Sequence, residues 1–496
     1  MRKIIIGEKN NVYIVSIIVA LCNVFFIYNE VVSYCIVFAE AVYLIYLWIR
    51  KQYSIYLCYY TIFLSLSMEY AGFIGKEDFY SFKNIRFLGL NLGIWLLVPL
   101  LISAACNYHR LISGIKKYRV LLHGTRLFIM MNVTAMFVGM LGILINDNDI
   151  RSLKGYFSFY VDSLYTLMLF PVSVLIAFVL ALICDREHIT FLEKTLQGIL
   201  WGAVVQGVAS RVFNISGTYG GTSTVMMSMV SVFLGFLLLY SFYSNCKNKK
   251  LNIVFALIGL AVLLTGGASG KLYLSLVVLI LALLMYAVRT KNVKKKILLF
   301  GVFAIGLFSV SIIFDMVALR GGNLAGYKLY EAKQILQVSK WNMSYFSVME
   351  ASPRVRIGEI LNTTIEYLHK PLYFITGKGF GGTIRDYTGF FNTITLSGRS
   401  GAFSDEEFSA GVFISMHEIS TVYLVFGLLG IILFAYLLKY CLKFFDYSFW
   451  LFVGLFWYVL YYGYSLTIAA FGVTAMMYGL YECSVSKKGK QHNDYN

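Results

Sequence analysis

Residues 413–430 read FISMHEISTVYLVFGLLG, which sets His417 and Glu418 at the head of a long apolar run in a chain with only six histidines. An imidazole titrates near neutral pH and suits general-base chemistry. A histidine at a helix mouth also serves as a structural residue, and the residues alone leave both roles open. Upstream lies GKGFGG, Gly377–Gly382. Gly377, Gly379 and Gly381 make a turn whose backbone can approach a ligand closely. Arg354 and Arg356 precede it, and Arg211 and Lys271 lie farther back beside apolar runs. Glycines with basic neighbours suggest a phosphate site. The turn does not follow a strand, so it is neither a P-loop nor a dinucleotide fingerprint, and a structural turn is the competing reading.

The elements that must position these groups are membrane helices. Of 496 residues, 59% are hydrophobic and 14% charged, with four prolines, 38 tyrosines and 40 phenylalanines. A soluble chain of this length cannot hide that much apolar surface. Continuous apolar runs of roughly 17–25 residues match a hydrocarbon core of ~30 Å and lack the alternation of barrel strands. The expected class is an all-α polytopic membrane protein with about fourteen transmembrane helices. They are predicted near 12–28, 30–49, 54–74, 87–106, 128–146, 161–184, 196–212, 222–243, 252–268, 272–288, 297–315, 418–438, 448–463 and 465–482. The first follows MRKIIIGEKN without a small-residue cleavage site and is expected to be a retained helix.

Charge fixes the expected orientation. With the N-terminus in the cytoplasm, the inner segments hold 25 of the 42 basic residues, the short outer loops and outer helix ends hold seven, and segment 316–416 holds ten. Every inner loop is basic, as the positive-inside rule requires. This rule also accounts for the net charge of +17, and no nucleic-acid-binding motif accompanies it. Eleven helices are thus expected in 1–315, a large extracytoplasmic loop in 316–416, and three helices with a cytoplasmic tail in 417–496. Arg211, Lys271, the loop and His417 all fall on the outer side. Glu40 and Glu69 fall inside predicted helices, where a hydrogen-bonded structural role competes with a functional one. The eight cysteines show no metal-ligand spacing, and neither metal nor cofactor is expected.

Segment 316–416 is too long for a connector. Ser352-Pro353 reads as a helix start and Lys370-Pro371 as its end. Ile357, Ile360, Leu361, Ile365 and Leu368 recur at helical spacing, giving a helix that can lie against the bundle or in the membrane interface.

RIGEILNTTIEYLHKPLYFITGKGFGG followed by MHEISTVYLVFGLLG resembles the signature of the O-antigen polymerase and O-antigen ligase superfamily. In that pattern an outer-loop arginine opens a helix, a Pro–apolar–Gly-x-Gly turn follows, and a histidine heads a Leu/Gly-rich helix. Arg356 matches the arginine, Gly377, Gly379 and Gly381 the turn, and His417 the histidine. SRVFNISGTYGGTSTVMMSM is similar to the stretch around the family's other outer arginine, matched by Arg211. Where a Ser-Arg pair is usual, this chain has Ser269-Gly270-Lys271. Ile360 stands where tryptophan is usual, and Glu418 where asparagine is common. The likeness covers roughly residues 200–440.

The resemblance implies an oligosaccharide on a polyprenyl diphosphate carrier as substrate, and the aromatic-rich outer loop favours polymerisation of such repeat units into O-antigen or capsular polysaccharide. The transfer is metal-independent and inverting, on the outer face of the bacterial inner membrane, in the company of a flippase and a chain-length regulator. It implies His417 as general base and Arg211 and Arg356 as clamps on the departing diphosphate, with Lys271 in support and Arg354 as the alternative to Arg356. The close alternative is a ligase that moves the glycan onto a lipid or protein acceptor. From another class, a lipid-linked sugar flippase would show paired halves and a charged midplane cavity, and no internal repeat is evident. A peptidoglycan glycosyltransferase of the shape, elongation and division type would need an outer acidic residue such as Asp386 or Asp405, without its surrounding motif.

Overall fold

The computed structural model describes, apart from scattered single positions, residues 2–26, 29–67, 85–88, 90–117, 119–145, 188–219, 222–225, 248–265, parts of 292–304, 333–335, 337–391, 394–395, 398–399, 405–414 and 420–432. The predicted helices at 161–184, 272–288, 448–463 and 465–482, and most of 222–243 and 297–315, lie outside these residues.

The described chain is predominantly helical. Its N-terminal half runs α1 (Arg2–Phe25), α2 (Glu30–Ile49), α3 (Tyr53–Leu66), α4 (Leu92–Trp95), α5 (Val98–Cys106), α6 (Tyr108–Lys117) and α7 (Arg119–Leu144). α8 (His188–Val212) and α9 (Lys249–Thr265) follow. The remainder is α10 (Met343–Ser347), α11 (Ala351–His369), α12 (Pro371–Thr376), α13 (Asp405–Ala410) and α14 (Ser420–Ile432). Three two-stranded antiparallel hairpins pair Arg86–Phe87 with Leu90–Asn91, Ser216–Tyr219 with Thr222–Val225, and Ile394–Thr395 with Gly398–Arg399. Among the described residues one helix, α2, is long and apolar enough to cross a membrane. Shorter apolar helical runs occupy Asn11–Phe25, Tyr53–Leu66, Leu92–Cys106, Ile129–Leu144 and Ser420–Ile432.

Two predicted helices differ in form. The run 87–106 opens in a hairpin, with Phe87 paired to Leu90, and its helical part is broken at Leu96–Leu97, ahead of Pro99, whose missing N–H suits the first turn of α5. The run 222–243 opens as a strand, because Thr222–Val225 pairs back onto Ser216–Tyr219.

α8, predicted only from 196, starts at 188 and packs against α1, α3 and α9. Small residues allow the approach. A Cβ on Gly198 would meet the Ser16 hydroxyl at 2.9 Å, and one on Gly202 would meet Leu66 at 2.8 Å and the Ser16 carbonyl at 3.0 Å. This GxxxG spacing lets the helix backbones come close. Polar groups are matched in the same interface. The Trp201 indole N–H donates to Asn252 Oδ1 at 2.9 Å, the Tyr13 hydroxyl donates to Gln197 Oε1 at 3.1 Å, and Gln206 donates to the carbonyl of Leu66 at 2.5 Å. Tyr13 stacks on Trp201 at 4.4 Å and Trp201 on Phe255 at 4.8 Å.

α11 begins and ends close to its predicted limits, yet the side it buries is polar. Glu359, Asn362, Thr363 and Glu366 face inward with Val355 and Tyr367, while Ile360 and Leu368 are 43% and 76% exposed. Of the apolar stripe read from the sequence, Ile360 and Leu368 point away from the protein, and Ile357, Leu361 and Ile365 are half-buried.

The α1–α8 seam yields a test. Gly202→Val inserts atoms where Leu66 and the Ser16 carbonyl already sit, at a cost of ~1–3 kcal/mol. It is expected to lower the thermal unfolding midpoint of the solubilised protein. Gly301→Ala, at a position with nothing within 4 Å, is expected to leave the midpoint unchanged or higher.

Candidate functional site

The candidate residues divide by location. Arg211 is exposed in the last turn of α8, and among the described residues its side chain makes no hydrogen bond or ion pair. Arg354 and Arg356 lie near the start of α11. The Arg354 Nη1 donates to the carbonyl of Ser347 at 2.8 Å, and its buried Nε has no hydrogen-bond partner. The Arg356 Nη1 donates back along the helix to the carbonyl of Ser352 at 3.3 Å and to the Ser352 hydroxyl. Lys271, His417 and Glu418 lie outside the described residues, as does Glu69.

The glycine turn is described in full. Gly377, Gly379 and Gly381 have φ of 69°, 73° and 72°, where an L side chain is strained. The close approach they permit is to the chain's own backbone. A Cβ on Gly377 would overlap the carbonyl of Val425, and one on Gly379 would overlap Gly139 N and the carbonyl of Ala135. The amide of Phe380 donates to the Ala135 carbonyl at 3.0 Å, joining the turn to α7.

α14 is shaped to receive this turn. Gly427 takes a φ of +58° inside the helix. Upstream of it, carbonyls that would bind amides of α14 turn outward. The carbonyl of Leu424 accepts the Lys378 amide at 2.8 Å, and that of Val425 accepts the Gly379 amide at 3.1 Å. The Tyr367 hydroxyl bonds to the carbonyls of Tyr423 and Leu424, at 2.6 and 3.0 Å. At the start of the same helix, the Ser420 hydroxyl donates to the buried Glu359 carboxylate at 2.6 Å. α11, the turn and the first half of α14 thus form one hydrogen-bonded unit.

Lys378, the basic residue inside GKGFGG, points inward. Its ammonium donates to Glu366 Oε1 at 3.0 Å and to the carbonyl of Thr383 at 2.7 Å, 6.0 Å from the Tyr373 ring centre. The Tyr387 hydroxyl donates to Glu366 Oε2 at 2.6 Å, and its ring stacks on His369. Burial by itself raises the Glu366 carboxyl. The charge of Lys378, the bonds from Tyr387 and Lys378, and the charge of Lys370 outweigh it, so the group sits below its ordinary range. Burial and the bond to Glu366 push the Tyr387 phenol up to about 12. In this arrangement Lys378 neutralises a carboxylate, leaving the arginines as the basic side chains nearest the start of α11.

Glu366 is not legible as the partner of Lys378 from residue spacing, because the pair is joined across the Pro371 turn, where helical periodicity stops. Asp386 is likewise committed. Its carboxylate accepts Asn362 Nδ2 at 3.0 Å and the amides of Phe390 and Phe391 at 3.1 and 2.9 Å, closing a turn. Among the described residues no group of three or more His, Cys, Asp or Glu could hold a metal ion. No protein-family model matches the chain, and neither does any curated protein.

The buried pair carries the second prediction. Lys378→Met leaves Glu366 buried without its cation and is expected to cost ~3–5 kcal/mol. Adding Glu366→Gln to the same chain is expected to recover most of that loss in thermal unfolding of the solubilised protein. The depressed carboxyl stabilises the fold above the ordinary value of 4.5, and this is lost as pH falls through the lower folded value. The raised phenol stabilises below its ordinary value of 10.0, and this is lost as pH rises towards about 12. Glu366→Gln is expected to flatten the acid limb, and Tyr387→Phe the alkaline one.

Proposed function

We propose that the chain is a bacterial inner-membrane polysaccharide polymerase with about fourteen spans, both termini cytoplasmic and its active site on the outer face. Its substrate is an oligosaccharide repeat unit on a polyprenyl diphosphate. The observation that carries this reading is the bond between Ser420 and Glu359. Glu359 lies about one helical turn beyond Arg356, and Ser420 lies three residues after His417. Chain length alone keeps the α-carbons of His417 and Ser420 within ~11 Å. That bond supports a site in which the loop arginine and the histidine, about sixty residues apart in sequence, meet.

The contacts of segment 367–380 also agree with the charge-derived orientation. That orientation puts the C-terminal end of α7, the N-terminal end of α14 and segment 316–416 on the same side. Phe380 and Gly379 abut α7, and Tyr367 and Lys378 bond to α14.

In the proposed reaction a sugar hydroxyl of the acceptor attacks the anomeric carbon of the donor from the side opposite the diphosphate. His417 accepts the hydroxyl proton as the new C–O bond forms. The old C–O bond breaks, and its electron pair leaves with the diphosphate. Arg211 and Arg356 bind that growing charge, with Arg354 and Lys271 beside them. Arginine forks fit phosphate oxygens bidentately, and a site partly shielded from water strengthens each contact. The ligase alternative shares this donor chemistry and differs in the acceptor.

Purified protein given a defined polyprenyl-diphosphate repeat unit is expected to yield a ladder of products. A single transfer to a lipid or protein acceptor would indicate the ligase, and no product with any acceptor would favour transport. His417→Ala is expected to lower the rate ~10²–10⁴-fold. In a strain lacking the native protein, it is expected to leave single repeats on a polysaccharide gel. Chains of wild-type length from that variant would remove His417 from the mechanism.

A further inference from the structure

The inverted face of α11 continues into α12. Along one side run Ile360, Leu368, Leu372 and Ile375, exposed by 43%, 76%, 72% and 51%, with Ile357, Leu361 and Ile365 half-buried beside them. The opposite side is occupied by the Glu359–Ser420 and Glu366–Lys378 pairs and by Tyr367 and Tyr373, which pack on Tyr423 and Val138. A helix with its polar side inward and its apolar side outward is built for an apolar surrounding, and water would make that exposure costly.

Neighbouring elements indicate what covers it. α12 and the glycine turn rest on α7 at Ala135, Val138 and Gly139. Val138 is six residues before the end of α7 at Leu144, or ~9 Å along the axis at the α-helical rise. On α7, Phe137, Met140, Leu141 and Leu144 are exposed. On α14, Leu429, Ile431 and Ile432 are exposed. The elbow therefore rests on one side of α7, short of its end, while α7 on its other side and α14 also expose apolar side chains.

We infer that the elbow of α11 and α12, about residues 357–376, is inserted edge-on into the outer leaflet of the bilayer. Its Ile360–Ile375 stripe contacts acyl chains, and His369 and Lys370 sit at headgroup level. The inference rests on the proposed membrane-spanning arrangement of α7 and α14, and names the lipid surface as the partner of the loop. Interfacial helices with one apolar side bury it ~5–10 Å into the headgroup and acyl boundary, which matches the ~9 Å between Val138 and the end of α7 if that end marks the outer surface in the proposed arrangement. Irregular backbone at that depth must be satisfied by protein, and the turn amides of Lys378, Gly379 and Phe380 are bonded to carbonyls of α14 and α7. The insertion would set the arginines at the start of α11 beside the headgroup layer, where the diphosphate of a polyprenyl carrier lies.

The test uses full-length protein in vesicles of phosphatidylethanolamine and phosphatidylglycerol, with benzoylphenylalanine placed singly at Leu368, Leu372, Phe38 or Ser409. After irradiation, lipid adducts read by mass spectrometry are expected at Leu368, Leu372 and Phe38, and none at Ser409 on α13. Adducts at Phe38 with none at Leu368 or Leu372 would overturn the insertion while leaving the spanning helices intact. Their absence at all positions would overturn both. Polymerase activity is assayed separately, so its failure would leave the lipid contact standing.

Discussion

The carbonyls that α14 gives up around Gly427 are the constraint on which the loop depends. A helix that turns backbone acceptors outward must find donors for them. The donors come from the amides of Lys378 and Gly379 and the hydroxyl of Tyr367. Both sides of this exchange need glycine. Gly427 bends the acceptor helix, while Gly377 and Gly379 let the donor turn reach it. The loop is fastened to the helix by backbone geometry, and the buried Glu366–Lys378 pair then fixes the turn against α11.

This fastening changes the meaning of GKGFGG. As a string it suggests an anion cradle, with glycine amides and a lysine aimed at phosphate. In the fold the backbone amides of Lys378 and Gly379 bind carbonyls of α14, and the lysine side chain binds a carboxylate. The turn's contribution to the proposed chemistry is to hold α11, and with it Arg354 and Arg356, beside the start of α14. Phosphate recognition in the proposed site then belongs to the arginines, whose planar forks suit it better than a single ammonium.

The sequence disclosed local features well and distant partnerships poorly. The limits of α11 lie close to those read from Ser352-Pro353 and Lys370-Pro371, whose signals are local. Asn29 caps α2 through its side chain, which accepts the Val32 amide at 3.1 Å. The early start of α8 was hidden by its polar first turns, which contain Glu193 and Lys194. Periodicity revealed an apolar stripe on α11 without revealing which way it faces, since amphipathicity is the same pattern in either orientation. Exposure at Leu368 and Leu372 settles the direction within the protein. Glu366 with Lys378 and Glu359 with Ser420 join separate elements, and one sequence carries no mark of such pairs. Gly427 looked like part of a Leu/Gly-rich helix body, and its bend depends on the turn that docks there.

The proposed function requires Arg356 and His417 to share one pocket on the outer face of the membrane. The most direct measurement is cross-linking of Arg356→Cys with His417→Cys by a short, membrane-impermeant bis-maleimide, in intact spheroplasts and in a chain whose native cysteines are replaced. An intramolecular cross-link is expected from outside the cell, and none when His417→Cys is paired with Lys295→Cys. A cross-link that forms only after the membrane is opened, or none between positions 356 and 417 although each cysteine is labelled singly, would contradict the proposed function.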